Sequence, residues 1–103
     1  MTYDSHAPTG WLFEQWVRFQ AIALTNSLAD TGADLYIGIS TSEEHTTSHN
    51  PAAENMQTGL EGLIAGLNDA DARSGVVTGV AIYPYWETSS DEWDLYTTLW
   101  LGR

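Results

Sequence analysis

Two short segments hold the residues best suited to chemistry. Pro84-Tyr85-Trp86-Glu87-Thr88 places a carboxylate directly after two aromatic side chains, and Ser42-Glu43-Glu44-His45 gathers two carboxylates beside an imidazole. Each segment follows an apolar run, DLYIGIS over residues 34–40 and VVTGVAIY over 76–83. Carboxyls brought ~5–10 Å apart can divide glycosidic cleavage between them, one as general acid and the other as base or nucleophile. We therefore take Glu87, Glu43 and Glu44 as candidate catalytic acids. Tyr85, Trp86 and His45 are the candidate substrate-binding residues, the aromatics offering a flat face for a sugar ring.

The same residues allow other chemistries. Glu43, Glu44, His45 and His49 combine metal-ligand types, and two His four apart would share one face of a helix. The intervening Thr-Thr-Ser and the following Asn-Pro read as a loop, so no metal site is expected. No G-x-S-x-G elbow supports a serine nucleophile. Neither run is followed by G-x-G-x-x-G or a P-loop, so no phosphate-bearing cofactor is expected.

The elements that must position these segments follow from periodicity. Residues 1–9 read as a loose lead-in. From Gly10 to Asp30 the pattern is helical, with Leu12, Trp16, Phe19 and Ala23 on one face and Phe13, Val17, Leu24 and Leu28 beside them. Thr9 is a candidate N-cap and Gly32 a candidate stop. Residues 34–40 read as a strand apolar on both faces, as a parallel strand covered on both sides would be. Asn50-Pro51 predicts the start of a second helix running to Leu67, with Glu54 in its first turn. Gly59, Gly62 and Gly66 in that helix each cost ~1 kcal/mol against alanine, which points to close approach by a neighbouring element. Residues 76–83 read as the second strand, ended by Pro84. Ser89 and Glu92 form a capping box for a last helix whose face is Trp93, Tyr96 and Trp100.

The expectation is thus an α/β fold in α-β-α-β-α order, one domain over residues 1–103, with parallel strands joined by a right-handed crossover. Parallel α/β proteins bind ligands at the carboxyl ends of their strands, where both candidate segments lie. Two parallel strands leave both sheet edges open, so such a chain either continues into more strands or associates with another.

Composition narrows the ligand. The net charge is −11, from 14 Asp and Glu against three arginines and no lysine. Nucleic-acid binding and attraction to an anionic membrane surface both require the basic patch this chain lacks. Five Trp, five Tyr and two Phe beside the acids suit a neutral polyhydroxylated ligand such as a carbohydrate. Cys is absent, which removes disulfides and thiolate chemistry. No apolar run reaches membrane-spanning length, and Met1–His6 does not read as a signal peptide.

The segments YIGISTSEEH, NPAAENMQTGLEGLIAGL and GVAIYPYWETSSDEWDLY resemble the last two βα units of uncharacterised bacterial (β/α)8 barrels that look like glycoside hydrolases. The resemblance implies the C-terminal portion of a TIM barrel, an extracellular setting, and a carbohydrate substrate met by a rim completed by further βα units. It supplies no catalytic signature. A reading of a different class stands beside it: a small non-catalytic α/β protein that self-associates or binds a partner through its open sheet edge.

Overall fold

The computed structural model describes residues 8–43 and 49–103. Within them the order is α1 (Gly10–Leu28), β1 (Leu35–Ser40), α2 (Met56–Leu67), β2 (Val77–Tyr83) and α3 (Ser90–Leu95), the last continuing as a π-helical segment, Tyr96–Leu101. The α/β reading and its α-β-α-β-α order hold. Most of the expected 1–9 lead-in lies outside the described residues.

Thr9 starts α1 by accepting a hydrogen bond from the Leu12 amide at 3.2 Å. The helix ends where Asp30 (φ 67) and Gly32 (φ 76) take left-handed backbone, a conformation Asp and Gly tolerate better than most residues. Its buried face is Phe13, Val17, Ala21 and Thr25, whereas Leu12 and Phe19 are exposed. The expected face is therefore rotated. Apolar residues surround most of α1, so periodicity left the helix unphased, and the small side chains that admit α2 decide which side turns inward.

The glycines of α2 make that contact. A Cβ on Gly62 would stand 2.6 Å from the Glu14 carbonyl oxygen, and one on Gly66 2.8 Å from the Ala21 Cβ. At Gly59 it would meet Ile39 of β1 at 3.1 Å. The pairing of Gly10 with Thr58, Glu14 with Gly62 and Arg18 with Gly66 shows α1 and α2 running side by side in the same direction. Arg18 closes the far end on Asp69 at 2.9 Å, and the Asp71 backbone N–H, followed by that guanidinium, holds the Asp69 carboxyl below its usual range.

α2 begins later than Asn50-Pro51 predicts. Asn55 accepts from the Thr58 amide while the Thr58 hydroxyl accepts from the Asn55 amide, a reciprocal cap that fixes Met56 as the first helical residue. Residues 51–55 instead form turns, with the amides of Ala53 and Glu54 both donating to the Asn50 carbonyl. This early turn carries Glu54 into the interior.

β1 and β2 pair in parallel, from Tyr36 opposite Gly79 to Ser40 opposite Tyr83. Leu35, Ile37 and Ile39 join Phe13, Val17, Met56, Leu60, Leu63 and Trp100 in one core, against which Val80 and Ile82 also pack. Both long helices and the π-helical segment thus cover the same face of the sheet. On the other face Tyr36 is 59% and Tyr83 54% exposed, so the expectation of strands covered on both sides is corrected. At the chain's end the Ser89–Glu92 capping box forms as expected. Trp100 is buried but Trp93 is exposed, because the i→i+5 winding of Tyr96–Leu101 puts more residues in each turn and separates the two rings around the axis.

Candidate strand-end site

The carboxyl ends of β1 and β2 are laced together by backbone and hydroxyl groups. The Thr41 amide donates to the Tyr83 carbonyl at 2.9 Å, prolonging the ladder by one bond. The Thr41 hydroxyl lies 2.9 Å from the Pro84 carbonyl and 2.7 Å from the Thr88 hydroxyl. Thr88 also donates to Pro84 at 3.1 Å. Buried Thr41 and Pro84 thus anchor the two post-strand segments to each other.

After Pro84 the chain folds into a 3-10 turn, Tyr85–Glu87, which throws its aromatic side chains outward. Tyr85 is 68% and Trp86 65% exposed. The Trp86 ring stands edge-on to two neighbours, Tyr83 at 5.6 Å and Tyr85 at 5.4 Å between centroids. Tyr83 was absent from the sequence candidates; as the last residue of β2 on its exposed face, it extends the aromatic surface from the rim onto the sheet.

Glu87 reaches across to the other strand end, where its Oε1 accepts from the Glu43 amide at 3.2 Å. The structure therefore brings Glu43 and Glu87 together, through backbone on one side and carboxylate on the other, with Trp86 and Tyr85 adjoining. Glu44 and His45 lie outside the described residues.

Beneath this rim is a polar pair that residue spacing did not single out. His49 Nδ1 lies 3.2 Å from Glu54 Oε2, with side-chain exposures of 4% and 0%. His49 Nε2 lies 3.0 Å from the Ser42 carbonyl oxygen. A carbonyl only accepts, so the Nε2 hydrogen is the donor in that contact. The sequence offers His49 only as a metal-ligand type and Glu54 only as a first-turn acid. Their pairing depends on the irregular turn at 51–55, for which no periodic signal exists.

Among the described residues, no group of three or more His, Cys, Asp or Glu is arranged to hold a metal ion, and no helix is long and apolar enough to cross a membrane. A hollow of about 360 Å³ lined by Asp30, Ala72, Arg73 and Val76 lies at the opposite end of the strands, beside the start of β2. The strand-end rim is by contrast an open surface of exposed rings beside the Glu87 carboxylate.

No family model matches this chain, and comparison with the curated proteins and with the solved structures found no match.

Proposed function

We propose that this chain supplies part of the ligand-binding rim of a carbohydrate-active, glycoside-hydrolase-like α/β barrel, and that it binds rather than cleaves when alone. The observation that carries the reading is Glu87 fixed at the carboxyl ends of two parallel strands beside the exposed Trp86 ring. A sugar presents apolar C–H faces for stacking and hydroxyls for hydrogen bonding, and this rim offers both partners. All covering helices lie on one face of the sheet, which is how a barrel wall is built. Further strands would continue that wall past both open edges and enclose the exposed Tyr36 and Tyr83.

In a completed barrel Glu87 would act as one carboxyl of the cleaving pair, the Glu43–Glu44 segment providing the other. The test is to place Glu87→Gln and Trp86→Ala in a protein that contains this chain together with additional βα units, and to assay glycan cleavage and binding. Loss of turnover with retained folding in Glu87→Gln, and weakened binding in Trp86→Ala, are expected. Unchanged activity in both removes the site.

The exposed sheet face also supports the second reading, a non-catalytic protein that associates through its sheet. Tyr36 and Tyr83 sit between open strand edges, and Trp11 and Phe19 are exposed on α1.

A further inference from the structure

We propose that the buried Glu54–His49 pair is a positioning device for Glu87, acting through the single peptide group between Ser42 and Glu43. That peptide is held at both ends: its carbonyl oxygen lies 3.0 Å from His49 Nε2, and its N–H donates to Glu87 Oε1 at 3.2 Å. Glu54 orients the imidazole from the other side at 3.2 Å. The result is a continuous path, Glu54 carboxylate to imidazole to peptide to Glu87 carboxylate, that starts in the core and ends at the rim.

Two physical arguments give the path a role. A donor on the carbonyl of a peptide polarises its N–H, so the bond to Glu87 strengthens with the bond to His49. A buried ion-pair-like contact is also a poor choice for stability alone, since apolar residues of similar volume commonly serve as well or better. What apolar residues cannot do is set the direction of the Ser42–Glu43 peptide. On the strand side the same segment is already fixed by Thr41, bonded to Tyr83 and Pro84. With His49 in place, the peptide has little freedom to rotate, and Glu87 meets a donor of fixed direction. His49 and Glu54 are therefore positioning residues. The proposal rests on the rim reading in taking Glu87 as the group that meets the ligand.

The experiment is amide hydrogen exchange with residue resolution by NMR on the full chain, read at Glu43 and compared with core amides such as Leu60 and Leu63. In Glu87→Ala, which removes the acceptor, the Glu43 amide should exchange faster, which identifies the bond. In His49→Leu, with Glu87 intact, it should exchange about threefold to tenfold faster than in the parent, the scale of losing one ordinary hydrogen bond, beyond any change in the core amides. His49→Gln, whose side-chain amide can still donate to the Ser42 carbonyl, should restore part of the protection. If His49→Leu fails to fold, Glu54→Gln provides the same reading, with a smaller acceleration at Glu43. Exchange at Glu43 that changes only in step with the core in the folded variants overturns the proposal. Because the readout is an amide, it is separate from ligand binding: a Glu43 response as expected in a chain that retains no glycan would sink the rim reading and leave the positioning pair standing.

Discussion

His49 and Glu87 hold opposite ends of one peptide group: the imidazole lies on the Ser42 carbonyl at 3.0 Å and the carboxylate accepts from the Glu43 amide at 3.2 Å. One of these side chains is buried beneath the segment after β1, and the other rises from the turn after β2. The two strand ends are thereby joined through a single planar unit, and the buried side of the join is polar.

That arrangement sets the expected cost of breaking it. His49→Ala leaves Glu54 buried without its imidazole and should lower unfolding free energy by about 3 kcal/mol in urea melts. The double variant His49→Leu/Glu54→Leu, which replaces both polar side chains and fills the space, should recover to within about 1 kcal/mol of the parent. A double variant no more stable than the single one would show that the pair is needed for folding itself.

The α1–α2 seam makes a prediction opposite to helix propensity. Alanine normally favours a helix over glycine, yet Gly62→Ala should destabilise by about 1–3 kcal/mol, because its Cβ would fall 2.6 Å from backbone oxygen of Glu14. Gly59→Ala should cost less, since the atom it meets at 3.1 Å is the mobile end of Ile39. Thermal melts that rank Gly62→Ala as neutral or stabilising would contradict the close packing of these helices.

Glu14 carries a pH dependence. Partial burial, a hydrogen bond with Glu61 and repulsion from that carboxylate raise its carboxyl from 4.5 to about 7. A folded value above the unfolded one means the native state holds the extra proton. The stability it contributes is complete below 4.5 and is lost as pH rises through about 7. Glu14→Gln, which cannot ionise, should therefore gain stability relative to the parent between about pH 5 and pH 8. Glu61→Gln should reduce that difference without abolishing it, because burial is the largest cause. Equal stability differences at both pH values would contradict the raised carboxyl.

The open sheet predicts association or weak stability of the isolated chain. Among the described residues β1 and β2 form a two-stranded sheet, with Tyr36 and Tyr83 more than half exposed on the face away from the core. Size exclusion with light scattering should show species above the monomer mass, or urea unfolding should show a stability below about 5 kcal/mol. A cooperative monomer well above that stability would contradict it.

The strand pair was legible because the two apolar runs are short, bounded by turn residues and joined by a periodic segment. The three glycines of α2 signalled a close approach for the same reason: their cost demands a cause, and α1 and Ile39 supply it. The inward side of α1 was not legible, since Trp11, Leu12, Trp16 and Phe19 compete with Phe13 and Val17 around one helix. Asn50-Pro51 imitated a helix start, and the stronger reciprocal cap of Asn55 and Thr58 displaced it. Glu87, Tyr85 and Trp86 were found from the rule that ligands meet the carboxyl ends of parallel strands. His49 and Glu54 escaped because their contact is made across an irregular turn, where spacing carries no geometric information.

The most direct measurement of the central claim is tryptophan fluorescence of the full chain titrated with a panel of neutral oligosaccharides, including cello-, xylo-, malto- and chito-oligomers. The strand-end account predicts a saturable change with at least one of them, lost in Trp86→Ala and weakened about tenfold in Glu87→Gln, the scale of exchanging a charge-assisted hydrogen bond for a neutral one. Trp93→Phe, which alters an exposed ring outside the residues assigned to the rim, should leave that titration intact. No saturable change with any member of the panel, or a change that survives Trp86→Ala undiminished, would contradict it.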